Sequence, residues 1–269
     1  MYNNYQYFKK NISKAYLLSF IALIYTTPWD NYLVYKKVWD YGKDRILFTI
    51  FYVPFEEYCF FILQPLLITG IFLYMYPNKD SFKKIPIINK KEVENNKKIN
   101  NNKIIKYVIS TKLIIGFLYG LYCIKHYYSL YYFGLIVVFS FPILLIQWLY
   151  GAYALMAHIK KNTLIILLSF TYLCIIDLWA INNGIWYINP RYTIPFKCSN
   201  LPLEEALFFL VTSIMCTWSL TLFFLIGIEC EIFKHKIYST KIWYIDDIYS
   251  DKVIFNRSLR IVNKWYKYI

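Results

Sequence analysis

Charge is scarce in this 269-residue chain, and acid is the scarcer kind. Asp, Glu, Lys and Arg make up 17% of it, and only 16 residues are acidic. Soluble domains carry roughly 25% charged residues. Glycine is also rare: there are eight, none in a Gly-x-Gly-x-x-Gly run, so no flavin or dinucleotide cradle is present. No redox cofactor is expected. The six cysteines (59, 123, 174, 198, 216 and 230) form no Cys-x-x-Cys, and none stands at zinc-ligand spacing from one of the three histidines. No metal site is indicated, and the cysteines read as small buried hydrophobes.

What the chain does have is apolar mass: 58% hydrophobic residues and 22% aromatic ones. A soluble domain of this size cannot hide so much apolar surface, so lipid is the expected solvent. Residues 206–228, 127–157 and 58–76 are free of charge. The run 162–176 leads into Asp177 and the run 15–29 into Asp30, and Lys112 interrupts the segment 104–124. A span needs about 20 apolar helical residues. The expected fold is an all-α polytopic membrane protein with helices near 15–33, 47–76, 104–124, 130–156, 163–183 and 203–229. The first run ends in Thr-Thr-Pro-Trp-Asp rather than at a small-residue cleavage site, so it reads as a retained helix, not a signal peptide.

The net charge of +14 does not point to nucleic acid, because the basic residues sit in loops and tails and no nucleic-acid motif is present. The N-terminus, the 77–106 loop, Lys160–Lys161 and the tail hold 22 of the 30 Lys and Arg residues. Positive residues stay in the cytoplasm, so both termini are expected there. The Lys- and Asn-rich 77–106 loop reads as a flexible connection, and the basic tail 231–269 as a surface or disordered segment.

The acidic residues repeat. Residues 54–61 read Pro-Phe-Glu-Glu-Tyr-Cys-Phe-Phe and 202–209 read Pro-Leu-Glu-Glu-Ala-Leu-Phe-Phe, identical at five of eight positions. Asp30 is followed nine residues later by Trp39, and Asp177 nine residues later by Trp186. The offset, 147 to 148 residues, spans four helices, so the halves are expected to be parallel repeats about an axis along the membrane normal. The first comprises 1–124 and the second 125–230. Asp30 and Asp177 close outward helices; Glu56, Glu57, Glu204 and Glu205 open returning ones. All six carboxyls are expected at one face, opposite the lysines.

Pro followed by Glu is ordinary grammar for a helix start. Two linked copies in a membrane chain say more, because ionisable groups there are costly and are usually functional. Adjacent carboxyls in a dry site cannot both ionise easily, so one keeps a proton to give. A nearby carboxylate stabilises positive charge, and aromatic faces do so without attacking it. Trp29, Trp39, Phe60, Phe61, Trp186, Phe208 and Phe209 flank the acids and are the candidate substrate wall. The set suits carbocation chemistry on an apolar polyene. Two rival readings predict other behaviour: a proton- or cation-coupled transporter, and an inactive carotenoid-binding relative.

Pro-Trp-Asp-Asn-Tyr at 28–32, Val-Pro-Phe-Glu-Glu-Tyr-Cys-Phe-Phe at 53–61, Thr-Tyr-Leu-Cys-Ile-Ile-Asp at 171–177 and Leu-Pro-Leu-Glu-Glu-Ala-Leu-Phe-Phe at 201–209 resemble the membrane lycopene β-cyclases. These are the cyclase half of the fungal bifunctional lycopene cyclase/phytoene synthases and the small heterodimeric bacterial cyclases. The resemblance covers roughly residues 15–230. It implies lycopene as substrate, the bilayer as its solvent, and acid-catalysed, non-redox closure of ψ-ends to β-ionone rings through γ-carotene to β-carotene. By motif match it implies Glu56, Glu57, Glu204 and Glu205 as candidate acids, supported by Asp30 and Asp177. Which glutamate of each pair donates is left open. So is a homo-oligomer or a complex with other carotenoid enzymes. The family repeat carries a helix before its Asp helix. Here only about 14 residues precede the first Asp helix, so the first repeat reads as shortened. A lone Asp-x-x-x-Asp at 247–251 reads as surface charge.

Overall fold

The computed structural model describes residues 2–42, 44–77 and 97–238. Most of the 77–106 loop and residues 239–269, including the Asp-x-x-x-Asp, lie outside them. The described residues form six long helices: α1 (Tyr2–Tyr35), α2 (Phe55–Met75), α3 (Lys97–His126), α4 (Tyr131–Ala157), α5 (Ile159–Asn182) and α6 (Leu203–Tyr238). Five stretches are long and apolar enough to cross a membrane: Phe55–Met75, Asn102–His126, Tyr128–Ala157, Ile159–Asn182 and Leu203–Ile226. α1 is helical throughout the segment expected to span, and its helix begins at Tyr2, ahead of the lysines that precede that segment.

α6 is the hub and touches α1, α2, α4 and α5. One core joins Phe72, Trp148, Leu155, Ile165, Leu220 and Phe224 near the lysine-rich end, and another joins Leu33, Trp39, Tyr132, Ile136, Phe208 and Phe209 at the opposite end. α3 packs chiefly on α4. Small residues let the two helices approach: a Cβ added at Gly134 would lie 2.7 Å from the Gly120 carbonyl oxygen.

Six short strands were not foreseen. β1 (Trp39–Tyr41) pairs antiparallel with β4 (Trp186–Ile188). β2 (Thr49–Ile50) pairs with β3 (Val53–Pro54), and β5 (Lys197–Cys198) with β6 (Leu201–Pro202). The helix expected from residue 47 therefore starts only at Phe55, because residues 47–54 are used by this hairpin. Pro54 is extended (φ −61°, ψ 149°) and caps α2 instead of lying inside it. At the other end α6 runs on to Tyr238, beyond the expected start of the tail.

Local geometry recurs at the offset seen in the sequence. After α1, Lys37 N–H bonds Val34 O and Val38 N–H bonds Leu33 O; after α5, Gly184 N–H bonds Ile181 O and Ile185 N–H bonds Ala180 O. Lys37 and Gly184 both take the left-handed conformation, at φ 56° and 64°. Such turns end helices, and a lysine occupies one only at a cost that glycine avoids. The hairpins repeat too, with Phe51 at φ 56° and Ser199 at φ 59°.

Replacing Gly134 by Val should force α3 off α4 and destabilise the protein by about 1–3 kcal/mol. Thermal unfolding in detergent measures this, and an unchanged midpoint would contradict the close crossing.

Candidate active site

The duplicated motif folds the same way twice. An extended Pro54 or Pro202 leads the chain into α2 or α6, and the two glutamates occupy the first helical turn. Proline lacks a donor that no helix start needs, and the glutamates face the positive end of the helix. Successive residues on a helix point about 100° apart, so the two members of a pair go to different places.

The first member of each pair ties down the preceding loop. Glu56 Oε1 accepts from Leu47 N–H at 2.8 Å, and Glu204 Oε1 accepts from Ile194 N–H at 2.6 Å. Leu47 and Ile194 are themselves 147 residues apart (194 − 47), so the clamp is duplicated with the motif. Glu56 is exposed, whereas Glu204 is buried.

The second member turns inward. Glu205 is 3% exposed, beside Asp177 at 3% and Asp30 at 0%, with Glu57 half-buried. Asp30 interacts electrostatically with Glu57 and Glu205, and Asp177 with both glutamates. Carboxyls from the two halves thus form one group of four. Glu56 and Glu204, at the same helix starts, bond the preceding loops instead. Tyr132 Oη donates to Glu205 Oε1 at 2.7 Å, and Trp186 Nε1–H donates to Asp177 Oδ1 at 3.0 Å. Both Asp30 oxygens, Asp177 Oδ2 and Glu204 Oε2 are buried without a hydrogen-bond partner. Burying a carboxylate without donors is expensive, so this is an unusual investment for a small bundle.

The β1–β4 ribbon roofs the group. Residues alternate across a ribbon, and here the exposed members are Asp40 and Tyr187. Trp39, Tyr41 and Trp186 take the other face. The Trp39 indole N–H is buried beside Glu205 without reaching hydrogen-bond geometry. The Tyr41 hydroxyl is buried without a partner. Burial first, then the nearby carboxyls of Glu57, Asp30, Glu205 and Asp40, push the Tyr41 phenol well above its ordinary range, so it stays neutral.

Aromatic rings line the space beneath. Trp29 stacks on Phe208 (5.4 Å between centroids) and Phe139 (4.6 Å), and meets Trp39 edge-on at 5.7 Å. Trp39 also meets Tyr132 and Phe208 edge-on, while Phe209 contacts Phe208 and Phe60. Phe61 packs against Tyr58 and Phe60. The structure thus brings Trp29, Trp39, Phe208, Phe209 and Phe60 into one aromatic body, with Trp186 held on Asp177 and Phe61 at its margin. Sequence reasoning missed Tyr132, Tyr41 and Phe139. Nothing in the long uncharged run marks Tyr132 or Phe139. Tyr41 was reachable, because it stands two residues after Trp39 and so shares its face in any strand.

Comparison with known proteins gives the family. The family model described as lycopene cyclase matches residues 1–75 and 125–224, which include all six carboxyls. The chain belongs to the lycopene cyclase family. Membership places it among the membrane enzymes of carotenoid biosynthesis. It is 29% identical to the lycopene beta-cyclase of Halobacterium salinarum, over 77% of this chain and 80% of that protein. It is 29% identical to the bifunctional lycopene cyclase/phytoene synthase of Leptosphaeria maculans and 31% identical to that of Sporisorium reilianum, each over 77% of this chain. The alignments cover 35% and 30% of those two relatives, so the chain spans about a third of the length of the bifunctional proteins it matches. No solved structure matches. The helix that falls between the two matched stretches is α3.

If Glu204 is a clamp, Glu204→Ala should strand the Ile194 amide and cost about 1.5–3 kcal/mol, the value of a hydrogen bond to a charged group. Glu204→Gln keeps an acceptor and should cost less than half of that. Chemical unfolding of both variants in detergent checks the order, and equal losses would deny the clamp.

Proposed function

We propose that this chain is a lycopene β-cyclase that closes the ψ-ends of lycopene by acid catalysis. The carrying observation is the group of four carboxyls, Asp30, Asp177 and Glu205 buried and Glu57 half-buried, beside aromatic rings in a membrane bundle of this family. Interacting carboxyls of which three are buried do not all carry charge, so the set retains protons. A retained proton is the only reagent the reaction needs.

In this reading Glu57 or Glu205 adds a proton to the terminal double bond of a ψ-end. The next double bond attacks the resulting tertiary cation and closes the six-membered ring, moving the positive charge onto a ring carbon. Loss of a neighbouring ring proton to a carboxylate forms the β-ionone double bond. The proton count is unchanged, and no electrons are exchanged with an outside partner. Asp30 and Asp177 hold negative charge near the cation and are placed to receive the proton. The faces of Trp29, Trp39 and Phe208 stabilise the cation without bonding to it. Trp186 orients Asp177, and Tyr132 orients Glu205. Two such closures give γ-carotene and then β-carotene. The lysine-rich end of the bundle, and with it both termini, lies on the cytoplasmic side.

In cells that make lycopene, the wild-type chain should turn red pigment yellow-orange. Glu57→Gln and Glu205→Gln should each lower cyclisation at least about 100-fold, the usual worth of a general acid, whereas Glu56→Gln should stay within about tenfold of wild type. Chromatography of extracted pigment measures both. Pigment that co-purifies unchanged with the wild type would instead mark a binding protein, and full activity in Glu57→Gln and Glu205→Gln together would remove the acids from the mechanism.

A further inference from the structure

Two Pro-x-Glu-Glu motifs and a substrate with two identical ends invite the idea of one site per end. The geometry argues against it. We propose that the two repeats build a single acid centre between them, and that the substrate presents its two ends to that centre on separate visits. This rests on the cyclase reading above.

Three observations carry it. First, the inner carboxyls of the two halves are one group: Glu205 of the second half lies with Asp30 and Glu57 of the first, and Glu57 with Asp177 of the second. Second, the halves meet there through contacts between residues one repeat apart. The β1–β4 ribbon is centred on Asp40 opposite Tyr187, an offset of 147, with Trp39 opposite Ile188 and Tyr41 opposite Trp186 on either side. Deeper in the bundle Gln64 Nε2 donates to Thr212 Oγ1 at 2.9 Å, an offset of 148. Contacts between counterparts are what an axis between the halves produces, and the carboxyls surround that axis instead of lying apart on its two sides. Third, the way in is lateral. An open apolar groove of about 640 Å³ runs along α1 beside α4, lined by Phe20, Ile21, Ile24, Tyr25, Pro28 and Phe139. Phe20, Ile21 and Ile24 face outward, toward lipid. Trp29 and Tyr32 also line it, and the Trp29 ring stacks on Phe208 and packs against Trp39. Apolar side chains therefore link the outer face of α1 to the rings around the acids.

A C40 polyene is stiff through conjugation, and its ends are separated by a distance on the order of the bilayer hydrocarbon, about 30 Å. With one end among the carboxyls, the rest of the chain lies along the groove and in the lipid, far beyond reach of the same acids. The first closure therefore leaves a one-ring product whose open end is outside. That molecule must withdraw and return reversed. The one-ring product is a free membrane solute between the two steps, and both steps use the same carboxyls.

The test uses the purified full-length protein in phosphatidylcholine vesicles loaded with lycopene. At partial conversion, an excess of deuterated lycopene is delivered by vesicle fusion. The expected result is that unlabelled one-ring product persists and its conversion to two rings slows in proportion to the excess. Unlabelled one-ring product that proceeds to two rings at an undiminished rate would overturn separate visits, as would a wild type that stops at one ring. Glu57→Gln and Glu205→Gln, assayed separately, should slow both closures by the same factor and so leave the ratio of one-ring to two-ring product at equal conversion as in wild type. Either variant stalling at one ring, with the first closure at wild-type rate, would show one site per end and overturn the single centre. Failure of the wild type to form any ring is a different result and defeats the cyclase reading itself.

Discussion

Keeping carboxyls out of water is the constraint around which the rest of the molecule is arranged. An isolated charged carboxylate in an apolar interior costs far more than the few kcal/mol by which most folds are stable. The bundle meets this in two ways. It groups Asp30, Glu57, Asp177 and Glu205 so that protons can be shared, and among the described residues it supplies two neutral donors, the Tyr132 hydroxyl and the Trp186 indole, to the Glu205 and Asp177 oxygens. Asp30 receives none. Full satisfaction of the oxygens would have produced a stable ion-pair network. Partial satisfaction leaves groups that can exchange a proton, and the remaining surface is given over to rings.

The paired glutamates show how one motif serves two demands. A helix start that must place a reactive side chain also has to hold its own loop. Glu56 and Glu204 perform the second task by accepting main-chain amides ten or fewer residues upstream. That frees Glu57 and Glu205 to point into the interior. A single glutamate at either position would leave the loop untethered or the interior without that carboxyl.

Much of this was legible in the sequence. Uncharged runs interrupted by Asp and Glu located the helices, and the duplicated Pro-x-Glu-Glu motif marked the starts of α2 and α6. The rest was hidden for identifiable reasons. The ribbon and hairpins are two or three residues per strand, too short for an alternating pattern to stand out among so many apolar residues, so residues 47–54 were absorbed into a helix. Tyr132 and Phe139 lie in an uncharged run where every position looks alike, and only packing distinguishes the buried ones. The roles of neighbouring glutamates depend on which way a first helical turn faces, which the loop decides. α1, whose apolar run is the shortest, is helical over the expected stretch and beyond it.

The β1–β4 roof has one more implication, for hydrogen isotopes. Its strands are joined by main-chain bonds, and Trp39, Tyr41 and Trp186 fill its inner face, so on this side bulk water meets Asp40 and Tyr187 and not Asp30, Asp177 or Glu205. In the proposed reaction, a hydrogen abstracted from a newly closed ring would pass to a carboxyl of the same group and from there to the next polyene. Successive products would carry a memory of earlier substrates: hydrogen inherited from one lycopene to the next, with heavy water leaving its mark only as fast as the roof opens.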